Sequence, residues 1–340
     1  MSSSPLDLAI VDFADFEGGG AERRSAIASS LIQAMRNVGF VYIRNLPIVG
    51  AAEVEEMFSM SKKFFNSPLE TKMLAPHPSN GAHHRGYSGI GREKVVNGLQ
   101  DEESVQAARV KAMDWKESFE FGSDTNVDQP NIVPPEEKVP GFKAQCAKFY
   151  ALCEAASQII MQAIAIGLGA REDFFLPYHA NSGHQLRLLH YPSIPSSNLL
   201  SGKAERISAH SDYDTFTLLW QDDVGGLEIE EHAKPGAGSG TGSFRPVPPI
   251  KGTCVLNTGD FLMRWSNDYL KSTIHRVRAP PEALEGQMTK ERWSIPFFVG
   301  SNFDMPVKTI ESCITPDQPD RYPEPITPRE YVISRLTSSY

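Results

Sequence analysis

Residues 207–229 read ISAHSDYDTFTLLWQDDVGGLEI. This stretch sets His210 and Asp212 in a short polar run, then continues as β-branched, aromatic and apolar residues typical of paired strands. On an extended segment residues i and i+2 point the same way, so the imidazole and the carboxylate can approach one ion from one strand end. The strand signal recurs between 183 and 300 in HQLRLLHY, TFTLLWQ, GLEIEE, TCVLNTG, STIHRVRA and RWSIPFFVG, with a flexible glycine-rich connection at 233–244.

Upstream the periodicity is helical. AERRSAIASSLIQAMRNVGF puts Ile27, Leu31 and Met35 on one face, with Gly39 suited to the stop. FVYI (40–43) reads as a buried strand, and a second helix carries Val54, Met57, Phe58, Phe64 and Phe65. Ser67-Pro68-Leu69-Glu70 has the pattern of a cap, a first-turn proline and a returning glutamate, and Thr327-Pro328-Arg329-Glu330 repeats it before a terminal helix, EYVISRL. Residues 74–140 read as loop with short strands, and the first eight or so as a loose tail. GFKAQCAKFYALCEAASQIIMQAIAIGLGA is the clearest helix, with Cys146 and Cys153 facing the core as small hydrophobes.

Helices before many short strands predict an α+β chain with a double-stranded β-helix (jelly-roll) core and a helical N-terminal region. The expected division is 1–140 for the helical and loop region, 141–182 for the long supporting helix, 183–305 for the jelly-roll catalytic core and 306–340 for the C-terminal segment. A formal net charge of −9 with no basic block argues against nucleic acid. No apolar run approaches the ~18 residues of a membrane span. MSSSPLDLAIVDF lacks a secretory signal, and the four cysteines form no CxxC pair. The expectation is a soluble, cytoplasmic protein acting on a small molecule; nothing speaks to oligomeric state.

The third metal ligand should come from a neighbouring strand, and His275 in KSTIHRVRAP is the best placed. His83 and His84 are adjacent and would diverge, His232 borders the flexible connection, and His77, His179, His184 and His190 read as structural or solvated. Two histidines and a carboxylate on one face leave positions open for ferrous iron to take a cosubstrate and dioxygen. A zinc hydrolase uses the same ligand types, usually through a helical HExxH that is absent here. Arg292 and Ser294 share one face of a later strand and form a guanidinium–hydroxyl fork for a carboxylate.

HxD, the later histidine and RxS, in this order on this strand pattern, resemble the iron(II)/2-oxoglutarate-dependent dioxygenases of the isopenicillin-N-synthase-like superfamily. LAIVDFADF, AMRNVGFVYIRN and KKFFNSPLETK are similar to its N-terminal region. HRGYSGIGREKV, DWKESFEFG, LRLLHYP and LNTGDFLMRWSNDYLKSTIHRV are most similar to the fungal branch with the thymine hydroxylases and secondary-metabolism oxygenases. The resemblance implies His210, Asp212 and His275 as iron(II) ligands and Arg292, Ser294 and Tyr191 as contacts of 2-oxoglutarate. Leu189 stands where many plant members carry asparagine. Dioxygen is the other implied cosubstrate, with oxidative decarboxylation of 2-oxoglutarate to succinate and carbon dioxide driving oxidation of a C–H bond. The outcome is hydroxylation, desaturation or rearrangement of a small organic substrate.

Strand parity puts Arg187 on the face of Tyr191, and Phe298 on the face of Arg292 and Ser294. With Tyr213, next to a ligand, they predict a pocket for a small, flat, polar molecule, an aromatic or heterocyclic secondary metabolite or a nucleobase. Arg187 would donate to substrate oxygens, with pairing to a carboxylate of the protein as the open alternative. A 2-oxoglutarate-independent oxidase of the same fold and a non-catalytic, metal-stabilised binding protein stay open as alternatives.

Overall fold

Alternation of buried side chains along its strands sorts the core of this protein into two layers. The computed structural model describes residues 6–79, 83–93, 113–180, 183–231, 242–280 and 283–331. The chain runs β1 (Ile10–Asp12), α1 (Ala21–Asn37), β2 (Phe40–Arg44), α2 (Ala51–Phe65), α3 (Leu69–Lys72), β3 (Gly86–Ser88), β4 (Met113–Asp114), β5 (Glu117–Phe121) and α4 (Phe142–Gly167). It continues through β6 (Gln185–Tyr191), α5 (Ser196–Leu200), β7 (Ala204–Glu205), β8 (Ile207–His210), β9 (Phe216–Gln221), β10 (Leu227–Glu230), β11 (Phe244–Pro246), β12 (Thr253–Thr258), α6 (Asp260–Trp265), β13 (His275–Val277) and β14 (Arg292–Val299).

One sheet has the order β1-β2-β12-β9-β14-β6-β5-β3 and a second the order β11-β10-β13-β8. From β8 onward the chain passes back and forth between the small sheet and the large one, with the β10–β11 pair kept in the small sheet, which is the winding of a double-stranded β-helix. The N-terminal region shares the large sheet: β2 runs antiparallel to β12, and β5 antiparallel to β6.

Strand β6 explains both layers. Leu186 and Leu188 pack with Ile295 and Phe297 into the cluster shared with the helices. Leu189 and Tyr191 point the other way, into the space between the sheets, with Ile207, Leu227, Ile229, Val255 and Val277. Helix α4 lies along the helix-side layer and buries Phe142, Cys146, Phe149, Cys153, Ile160 and Ile164. Burial pushes the Cys146 and Cys153 thiols above their ordinary range, as expected of core hydrophobes. Gly39 ends α1 at φ +80, and a Cβ there would meet the Lys271 carbonyl at 2.2 Å.

The structure corrects four details. Ser67 does not cap a helix: its hydroxyl donates to the Lys63 carbonyl at 3.0 Å, closing α2, and Pro68 precedes the single turn of α3. The N-terminal tail is tied down from Leu6, whose N–H reaches the Pro246 carbonyl, and Leu8 is buried between the sheets. Helix α4 is long and apolar enough to cross a membrane by length and composition, although its apolar side chains lie in the core. His210 ends β8, and Asp212 sits in the turn before β9 rather than on the same strand. The box at Thr327 forms as expected, with the Glu330 N–H donating to Thr327 Oγ1 and the Thr327 N–H to Glu330 Oε2. The terminal helix beyond residue 331 and most of the 233–244 connection, with His232, lie outside the described residues.

Two buried histidines set an acid limit on the fold. His179 Nδ1 donates to the Phe175 carbonyl at 2.8 Å, Nε2 of the neutral ring accepts from Thr215 Oγ1 at 3.0 Å, and the ring stacks on Trp265 and on His184. Burial pulls His179 down to about 4, and burial with the neighbouring His179 pulls His184 down to about 3. Both stay neutral when folded, whereas the unfolded chain takes up protons below its ordinary 6.5. Their contribution is therefore complete above pH 6.5 and is lost as pH falls from there toward about 4. Urea unfolding between pH 7 and 4.5 should show stability falling with acid. His179→Gln should flatten that slope, and an unchanged slope would exclude His179 as its source.

Candidate active site

The small sheet delivers one histidine from each of two paired strands. β13 pairs antiparallel with β8, and His275 lies opposite His210. The rings are 4.3 Å apart by centroid, and His275 packs edge-on against Phe40. Asp212 Oδ1 lies 3.7 Å from His210 Nε2 and 3.6 Å from His275 Nε2, too far for hydrogen bonds. The three donor atoms all fall within 4.8 Å of one another.

The far side of each group is already committed. His210 Nδ1 donates to the Ser208 carbonyl at 2.9 Å and His275 Nδ1 to the Thr273 carbonyl at 3.2 Å, so both Nε2 lone pairs face Asp212. Asp212 Oδ2 accepts from Thr217 Oγ1 at 2.6 Å and from Asn257 Nδ2 at 2.7 Å, which leaves Oδ1 toward the imidazoles. Orientation of each ligand through its other atom is the pattern of a metal site, and this donor set fits iron(II). Burial, then the second imidazole, pulls His210 down to about 4, so it is neutral and able to coordinate. Burial opposes ionisation of Asp212, but the two imidazoles and its hydrogen bonds hold it below the usual carboxylate range.

Asp260, at the start of α6, fastens the turn. Its N–H donates to the Asp212 carbonyl at 2.8 Å, and its carboxylate accepts from Ser211 Oγ at 2.9 Å and from Ser272 Oγ at 2.5 Å. Ser211 neighbours Asp212 and Ser272 leads into β13, so one side chain registers both ligand segments. Gly259 makes this approach possible, since a Cβ there would lie 1.9 Å from the Asp214 carbonyl oxygen.

The large sheet supplies the two other groups of residues. At one end of the β6–β14 pair, Tyr191 lies opposite Arg292 and Leu189 opposite Ser294. Arg292 and Ser294 are each 1% exposed; the guanidinium donates to Ser294 Oγ at 3.1 Å and to Gln221 Oε1 at 3.0 Å, over the Tyr191 ring at 4.9 Å. A second arginine, Arg206, meets the same ring at 5.8 Å.

At the other end, about 13 Å along β6 for four residues, Arg187 stands over the Phe298 ring at 5.4 Å. The carboxylate pairing that the sequence left open for it is formed. Its guanidinium reaches Glu120 Oε1 at 2.8 Å and Glu93 Oε1 at 3.2 Å, and Glu93 also bonds Lys116. Burial opposes ionisation of both glutamates, but Arg187 and Lys116 hold Glu93 down to about 2, and Arg187 with His77 and His84 holds Glu120 well below the usual range. His77 Nε2 and His84 Nδ1 each lie 3.5 Å from Glu120 Oε2. His83 and His84 do diverge, His83 turning to the Pro130 carbonyl. Asp214 links this end to the triad: burial and the charge of Asp212 push it up to about 7, against the pull of Arg187. Tyr213 is half-buried beside it.

Sequence reasoning missed Arg206, Lys116, Glu93 and Glu120. Charged residues in short strands look like exposed ones until the sheet order is known, and β5 becomes interior only by pairing with β6.

A profile for the non-haem dioxygenase N-terminal region, described from morphine synthesis, matches residues 8–141, and one for the 2OG-Fe(II) oxygenase superfamily matches residues 182–301. The chain is 35% identical over 336 residues to a proline hydroxylase of Petromyces alliaceus, covering 98% of this chain and 100% of that one. It is 34% identical over 339 residues to a 2-oxoglutarate-dependent dioxygenase of a Dothideomycetidae species, covering 98% of both. A Neurospora crassa protein solved in complex with alpha-KG (2-oxoglutarate) and thymine superposes with a TM-score of 0.86 at 33% identity, over 100% of this chain and 99% of that one.

Proposed function

The chain belongs to the 2OG-Fe(II) oxygenase superfamily, and from that premise we propose that it oxidises a small, flat, polar organic molecule held against Arg187, Tyr213 and Phe298. As a member it is an enzyme that uses iron(II) and 2-oxoglutarate. In this reading His210, Asp212 and His275 hold the iron, and Arg292 and Ser294 receive the distal carboxylate of 2-oxoglutarate beside Tyr191. Iron, 2-oxoglutarate and dioxygen together supply the oxidising power, with succinate and carbon dioxide as coproducts. The protein binds, orients and keeps water away: Phe298 offers a ring face, and Arg187 donates to a substrate oxygen.

The observation that carries the substrate class is the pairing of Arg187 with Glu120 and Glu93. Its charge is already compensated, so a second carboxylate has less to gain there than a neutral carbonyl. A guanidinium has five N–H donors, more than these two carboxylates require. A neutral heterocycle or aromatic carbonyl compound suits such a site better than a simple anion. The Neurospora relative's thymine complex is one example of that chemistry, and the proline hydroxylase relative supplies the contrasting candidate.

The test is substrate-dependent succinate release across nucleobases, aromatic polyketides and proline. Stimulation by a neutral flat compound supports the reading; stimulation by proline alone would overturn the class. With the best substrate, Arg187→Met should raise KM and lower the ratio of oxidised product to succinate, while iron and 2-oxoglutarate binding persist. If ratio and KM both stay at wild-type values, Arg187 only braces Glu93 and Glu120.

A further inference from the structure

We infer that Arg206 is a second guanidinium for the distal carboxylate of 2-oxoglutarate, acting beside Arg292. The inference rests on the proposed placing of that cosubstrate at Arg292 and Ser294. Arg206 lies just before β8, the strand that ends in His210. It is 0% exposed. One of its terminal nitrogens, Nη2, donates to the Lys290 carbonyl. The other two, Nε and Nη1, are buried with no hydrogen-bond partner, and Nε of Arg292 is in the same condition.

Both guanidinium groups meet one aromatic ring, that of Tyr191. Each is within electrostatic reach of the other, and burial with the charge of Arg292 pulls Arg206 down to about 10. Among the described residues neither makes an ion pair, whereas the buried Lys72 and Lys116 and the half-buried Arg187 all have carboxylates in contact. Asp222 acts electrostatically on both, but its oxygens accept the Trp293 and Val224 N–H groups and not a guanidinium. Two buried cations sharing one acid at a distance, with orphaned N–H donors, are unfavourable unless an anion joins them. A carboxylate held at Arg292 and Ser294 would meet that need for both.

The bland alternative is that Arg206 merely props Tyr191 and the Lys290 carbonyl. Ligand chemistry separates the two. 2-Oxopentanoate has the chain length of 2-oxoglutarate and a methyl group in place of the distal carboxylate. Binding of each to the iron(II)-loaded protein under nitrogen can be followed by calorimetry. Arg206→Met should weaken 2-oxoglutarate at least about tenfold, as loss of a buried charge contact does. It should change 2-oxopentanoate by less than about threefold, within the scatter of a neutral contact. Arg206→Lys keeps the charge without the fork and should fall between wild type and Arg206→Met for 2-oxoglutarate alone; it also carries the test if the methionine variant does not fold. Equal losses for both ligands, or no loss for either, would overturn the inference. A wild-type protein that does not prefer 2-oxoglutarate over 2-oxopentanoate would instead count against the cosubstrate site itself.

Discussion

His275→Ala is expected to abolish succinate release and to weaken ferrous iron binding more than about a hundredfold, since loss of an outer-shell partner alone costs up to that factor. In the proposed site three donors would hold the ion, and His275 is the one that β13 contributes. Its Nδ1 bond to Thr273 and its contact with Phe40 fix the ring without help from a metal, so the variant should lose the ligand and little of the fold. Titration with iron(II) under nitrogen, beside a melting curve, separates the two effects. Iron binding at the wild-type level would remove His275 from the site.

The second large effect belongs to Arg292→Leu. This guanidinium is buried and aligned by Ser294 and Gln221. Truncating one partner of a buried, charge-assisted pair costs about 2–5 kcal/mol, much of it from the partner left behind. About 1.4 kcal/mol is already tenfold, so the 2-oxoglutarate requirement should rise by at least that factor while iron affinity holds. An unchanged requirement would mean that the carboxylate is held elsewhere.

Much of this site was legible before the fold was known, because strand parity is a local rule. It put Arg187, Leu189 and Tyr191 on one face of β6 and Arg292, Ser294 and Phe298 on one face of β14. The two strands prove to be neighbours, with Arg292 opposite Tyr191. His210 and His275 lie opposite each other across β8 and β13, a placing that the proposed iron site requires. What parity cannot supply is which charged side chains are interior. Arg206 and Glu120 lie in short stretches that become interior only through packing in three dimensions. Asp212 shows the same limit from the other side: it reaches the histidines from a turn pinned by Asp260, a contact between segments far apart in the chain. Ser67 failed as a cap because the Lys63 carbonyl, one turn back, competes for its hydroxyl.

The most direct measurement is the balance of dioxygen consumed against succinate formed, with iron(II), 2-oxoglutarate and the panel of nucleobases, aromatic polyketides and proline. One succinate per dioxygen, stimulated by a flat neutral compound and absent in His275→Ala, is the expected result. Dioxygen consumption with a substrate but without succinate, or no consumption under any of these conditions, would contradict a 2-oxoglutarate-dependent oxygenase built on His210, Asp212 and His275.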